Sequence, residues 1–182
     1  MSNFDECLKL ILHHEGGYVN HPKDPGGETN MGVTKRVYEK WCMDNDLNQK
    51  DMKDLEFEDV APIYKKNYWD RVKADQLPEG LDLCVFDWAV NSGTGRAAKK
   101  LQSMIGTVAD GGIGPNTLKK LDEYIDKEGV EGAIANYTEI RQDFYESLST
   151  FDTFGKGWTR RNTETETEAL PRTSSSNKKC FP

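Results

Sequence analysis

Near its N-terminus the chain carries HHEGGYVNHPKDPGGETNMGVT, residues 13–34, in which an acid, a second acid and a hydroxyl follow in order: Glu15, Asp24 and Thr29. Two carboxyl groups in contrasting surroundings are the usual equipment for cleaving a glycosidic bond, one protonating the leaving oxygen and the other serving the nucleophile. A threonine hydroxyl nearby can hydrogen-bond a water and hold it on the face opposite the acid. The same residues also have a purely structural reading. Asp before Pro-Gly forms turns, Thr is common in loops, and a Glu at a helix end can face solvent. Spacing alone leaves both readings open.

The elements that must position these groups follow from the surrounding pattern. Phe4, Leu8, Ile11 and Leu12 recur at helical spacing, which predicts a first helix over about residues 3–15, opened by an Asn3/Glu6 variant of the capping box and closed by Gly16-Gly17. One more step of that apolar stripe lands on Glu15. Its carboxyl is therefore expected on the buried face and at the negative end of the helix dipole, and both settings disfavour the ionised form, as a general acid requires. Asp24, in a polar turn with backbone amides nearby, is expected to stay ionised. From residue 18 to 33 the density of Gly, Pro, Asn and Asp predicts turns and a small β-hairpin.

Thr34 is predicted to cap a second helix bearing Val37, Tyr38 and Trp41, and a third helix is predicted near residues 58–69. LPEGLDLCVFDWAVNSG reads as a strongly apolar helix, central to the core, that stops at Asn91-Ser92-Gly93. A short helix, a glycine-rich loop, a helix opened by Pro115 and a helix over residues 130–148 complete the pattern. The end, NTETETEALPRTSSSNKKCFP, has few large apolar residues and is expected to be disordered, with no function in its Thr-Glu repeat.

Composition narrows the class. The 182 residues, with 24 basic against 31 acidic side chains, a net charge of −7 and a hydrophobic share of 36%, describe a soluble globular protein that does not bind nucleic acid through a basic field. Cys7, Cys42, Cys84 and Cys180 have no metal-ligand spacing and are expected as reduced, buried thiols. His13 and His14 are adjacent and point to different sides of a helix, so neither a metal site nor another cofactor is expected. No phosphate-binding loop, dinucleotide fingerprint or nucleophilic-serine motif is present. The first residues do not read as a secretory signal, and nothing approaches the roughly 20 apolar residues of a membrane span. Trp41, Tyr68, Trp69 and Trp88 offer flat faces to sugars, although aromatics at helical spacing usually serve the core. Tyr18, beside Glu15, is the leading substrate-binding candidate, and Asn91, at the stop of the central helix, is the second.

Five stretches together resemble the lysozymes of glycosyl hydrolase family 108: EGGYVNHPKDPGGETNMGVT, the pair Tyr68-Trp69, LPEGLDLCVFDWAVNSGTGRA, LQSMIGTVADGGIGPNTL and GKGWTRR. That family comprises N-acetylmuramidases, found largely as phage endolysins and in prophage-derived genes, and the resemblance extends over the chain to about Arg161. It implies a mainly α, lysozyme-like α+β fold: a helical bundle around a central apolar helix, with a small β-hairpin beside the active-site cleft. It implies hydrolysis of the β-1,4 bond between N-acetylmuramic acid and N-acetylglucosamine, with Glu15 of EGGY as general acid. By the wider lysozyme order of Glu, Asp and Thr, Asp24 and Thr29 orient the water. Attack through a water implies inversion, for which the carboxyl groups stand about 6.5–9.5 Å apart.

The expected organisation is a catalytic region over residues 1–93, a helical peptidoglycan-binding-like region over 94–161 packed on it, and a disordered tail over 162–182. DGGIGP in the middle region reads equally as a loop that completes the fold. A monomer acting on peptidoglycan glycan strands is expected. A phage origin implies accumulation in the host cytoplasm, then passage to the periplasm and cell wall when a holin-like membrane protein opens the membrane. The net charge predicts little long-range attraction to an acidic wall. Two rivals stay open: a lytic transglycosylase using Glu15 alone, against which Asp24 speaks, and a non-catalytic wall-binding or phage structural protein, disfavoured by the presence of both acids.

Overall fold

Ser2, one residue before the expected cap, starts the first helix. Its hydroxyl accepts from the Asp5 N–H at 3.2 Å while the Asp5 carboxylate accepts from the Ser2 N–H at 3.0 Å, so Asn3 is already helical. The computed structural model describes residues 2–22 and 27–175, and Asp24 lies outside them. Packing divides the chain into two units, Met1–Asn67 and Tyr68–Pro182.

In the first unit, α1 (Asn3–Glu15) buries Phe4, Cys7, Leu8 and Ile11. A small antiparallel sheet follows in the order β1 (Val19–Asn20), β2 (Glu28–Asn30), β3 (Val33–Thr34). The expected hairpin thus gains a strand. β2 and β3 are joined by the two-residue turn Met31-Gly32, with φ of 49° and 74°, the mirror-image turn whose twist matches a hairpin. The Thr34 hydroxyl then accepts from the Val37 N–H at 3.4 Å and caps α2 (Lys35–Asp44). A 3₁₀ turn, Met52–Asp54, leads to α3 (Phe57–Tyr64), which widens into a π-helical turn at Lys65–Trp69. α3 packs on α1 and α2, burying Val60, Ile63, Tyr64 and Cys42.

The second unit is built on α4 (Leu81–Ser92), against which α5 (Thr94–Met104), α6 (Pro115–Glu146) and α7 (Phe151–Ala169) all pack. Every residue of α4 from Leu81 to Ala89 is buried, as a helix surrounded by others requires. α6 breaks at Gly129, whose φ of 73° is not helical. α4 and α5, on either side of Gly93, lie in one unit.

The tail also differs from expectation. α7 runs to Ala169 and continues as a 3₁₀ turn, Leu170–Ser175. Its inner face is Gly155, Asn162, Thr165 and Ala169, all buried. The Ala169 carbonyl oxygen lies 2.6 Å from where a Cβ on Gly80 would stand, so the two backbones touch. Cys7, Cys42 and Cys84 are buried free thiols. Among the described residues no helix is long and apolar enough to cross a membrane.

Candidate active site

Glu15 is the last residue of α1, one turn beyond Ile11 on the helix's inner face, and is half-buried. Gly16, with φ of 78°, turns the chain out of the helix. What meets the Glu15 side chain is the β2–β3 turn. A Cβ placed on Gly32 would stand 2.9 Å from Glu15 Oε2, 3.1 Å from Glu15 Cβ and 2.3 Å from Tyr64 Oη. Glycine at position 32 therefore serves two needs at once, a positive φ and a vacant side-chain volume that the acid occupies.

Thr29 sits in the middle strand, opposite Val19 on one side and Thr34 on the other. Paired residues share a face of the sheet, so Thr29 shares its face with Val19 and Thr34, while Glu28 and Asn30 point the other way. The buried Asn30 amide donates to the Met52 carbonyl at 2.7 Å, and this bond fixes which face of β2 turns inward. Thr29 is three residues from Gly32 along the same hairpin that presses on Glu15.

Tyr18 is 40% exposed, and its hydroxyl donates to Glu28 Oε1 at 2.8 Å. Lys35 Nζ donates to Glu28 Oε2 at 2.7 Å. The hydrogen bond to the Glu28 carboxylate raises the Tyr18 phenol above its ordinary value, and Lys35 first, then Tyr18, hold Glu28 below the usual carboxylate range. Tyr18 is thus anchored at its tip by Glu28 while part of the residue stays open to solvent.

Asn91 belongs to the second unit. Its side-chain oxygen accepts from the Tyr145 hydroxyl and, at 2.9 Å, from Ser92 Oγ. That commitment gives it a structural link from α4 to α6. Trp69 and Trp88 are fully buried core residues. The glycine-rich loop before α6 is organised by the buried Gln102, whose amide donates to Asp110, to the Gly112 carbonyl and to Thr117 at 2.9–3.1 Å, and accepts from the Gly111 N–H at 2.8 Å. These bonds favour the reading of DGGIGP as a loop that completes the fold.

The model of the family described as Glycosyl hydrolase 108 matches residues 8–93. The solved structure of SagA from Brucella abortus is similar to this chain with a TM-score of 0.75 and 37% identity, over 93% of this chain and 95% of that one. The chain belongs to glycosyl hydrolase family 108. This family 108 enzyme is a glycoside hydrolase with a mainly α, lysozyme-like fold. No curated protein matches it.

Sequence reasoning missed three of the enzyme's residues around the site. Tyr64 falls on the predicted third helix and Gly32 among the turn residues of 18–33, and Glu28 has no reading of its own. Only Gly32 carried a usable signal, as a glycine two residues before the predicted helix cap Thr34. Gly32→Ala adds a methyl group at a φ of 74° and into the space of Glu15 Oε2 and Tyr64 Oη. We expect a loss of about 1–3 kcal/mol in stability, measured by thermal melting, with a slower hydrolysis rate. An alanine variant with wild-type melting and rate would mean that the close approach has no consequence.

Proposed function

We propose that the enzyme hydrolyses the β-1,4 bond between N-acetylmuramic acid and N-acetylglucosamine in peptidoglycan. Glu15 protonates the leaving oxygen, and Asp24 and Thr29 orient the attacking water. The supporting observation is the seating of Glu15: a half-buried carboxyl at the end of α1, held against the β2–β3 turn by a glycine that leaves it room. A carboxyl so placed is kept to a narrow set of positions, which a proton donor to a bound glycosidic oxygen requires. Thr29, on the same hairpin, and the partly exposed Tyr18 supply polar and flat surfaces for water and sugar. Inversion at the anomeric carbon follows if the water route operates. Membership of the family supports peptidoglycan as the substrate, and the resemblance of its motifs to phage enzymes supports an endolysin role with release through a holin-like membrane protein.

The test is digestion of purified peptidoglycan followed by mass analysis of the soluble fragments. Fragments ending in reducing N-acetylmuramic acid are expected. Products lighter by about 18 Da, the mass of one lost water, would identify a lytic transglycosylase, whose single acid serves as both acid and base. Binding without fragment release would make the protein a wall-binding module.

A further inference from the structure

We propose that Tyr64 is a positioning residue for Glu15, acting through the Met31-Gly32 turn. The inference rests on the reading of Glu15 as the proton donor. Tyr64 comes from α3 and only 2% of it is exposed. A buried tyrosine hydroxyl needs a partner, and this one donates to the Met31 carbonyl at 2.8 Å. Met31 has a φ of 49°, a left-handed conformation that an unbranched side chain tolerates at a cost. The bond from Tyr64 holds the turn in that conformation.

The next residue, Gly32, presents its bare Cα to both groups. Tyr64 Oη and Glu15 Oε2 lie 2.3 and 2.9 Å from the same point, which bounds their separation at the sum of these distances, 5.2 Å. The phenol and the carboxyl therefore share one small space, walled by a turn that the phenol itself fixes. Glu has three rotatable side-chain bonds and a large rotamer freedom to lose. Without the Tyr64 hydroxyl the turn can relax away from Glu15, and the carboxyl gains positions from which it cannot reach the leaving oxygen. A displacement of that kind lowers turnover and leaves affinity for the glycan unchanged.

The experiment compares wild type, Tyr64→Phe and Glu15→Gln on soluble peptidoglycan fragments, following release of reducing ends across substrate concentration. Rates are normalised to the folded fraction by circular dichroism. Tyr64→Phe keeps the buried ring and removes only the hydroxyl. We expect its kcat to fall about 10–100-fold with KM little changed. Adding Met31→Gly, which adopts the turn without help, is expected to restore part of the lost kcat. A normalised kcat equal to wild type, alongside an inactive Glu15→Gln, would overturn the positioning role and leave the proton donor standing. Loss of kcat with no recovery on Met31→Gly would assign Tyr64 to packing alone and overturn the proposal. An active Glu15→Gln would remove the proton donor and the positioning role together.

Discussion

Glu15→Gln is expected to fold as the wild type does and to lose about 10²–10⁴-fold in turnover of peptidoglycan, the range that a positioned general acid supplies. Gln has nearly the same shape, so it fits the space beside Gly32 that the absent side chain leaves to Oε2. What it cannot do is give up a proton. The leaving sugar oxygen must then depart as an alkoxide, a poor leaving group at neutral pH. Folding should be untouched or slightly favoured, because an amide in a half-buried site carries no latent charge to desolvate. The measurement is clearing of permeabilised Gram-negative cells and release of reducing ends, beside a thermal melt of each protein. A Glu15→Gln variant that melts like the wild type and retains a tenth of its rate would exclude Glu15 as the acid.

The sequence made α1 and the position of Glu15 legible because large apolar residues mark the inner face of that helix and Gly16 marks its end. It left α7 hidden for the opposite reason. The buried stripe of α7 is Gly155, Asn162, Thr165 and Ala169, at helical spacing but without one large apolar side chain, so a hydrophobic pattern cannot see it. The Thr-Glu repeat looked like a solvated tail, yet the Thr165 hydroxyl donates to the buried Asp87 at 3.2 Å. β3 is two residues long and too short to alternate. The Tyr64–Met31 bond joins residues 33 positions apart, and nothing local in either segment announces it. Motifs such as FDWAVNSG and GKGWTRR were visible as resemblance, while their physical meaning, Asp87 paired with Arg161, spans 74 positions and needs the fold.

That pairing carries the second large expectation: Asp87→Asn should destabilise the protein by about 3–5 kcal/mol, the cost of removing one partner from a buried ion pair. Asp87 on α4 is 1% exposed and meets Arg141 of α6 and Arg161 of α7, each at 2.8 Å. Asn keeps the size and removes the charge. Arg161 is 12% exposed and can turn toward water, but Arg141 is 1% exposed and cannot. One nitrogen of Arg141, Nη2, already lacks a partner among the described residues, so losing Asp87 leaves a buried cation almost uncompensated. For a chain of this length each kcal/mol moves the melting temperature by about 2–4 °C, so a drop of about 10 °C is expected at pH 7. Burial pushes the Asp87 carboxyl up, but Arg141 and then Arg161 more than offset it and hold it below the usual carboxylate range. Its contribution is therefore complete above the unfolded carboxylate's value of about 4 and is lost as pH falls through the lower folded value. The gap in melting temperature between wild type and Asp87→Asn should close on acidification below about pH 4. A gap under about 1 kcal/mol at pH 7, or one that widens in acid, would mean that the pair contributes nothing to holding α4, α6 and α7 together.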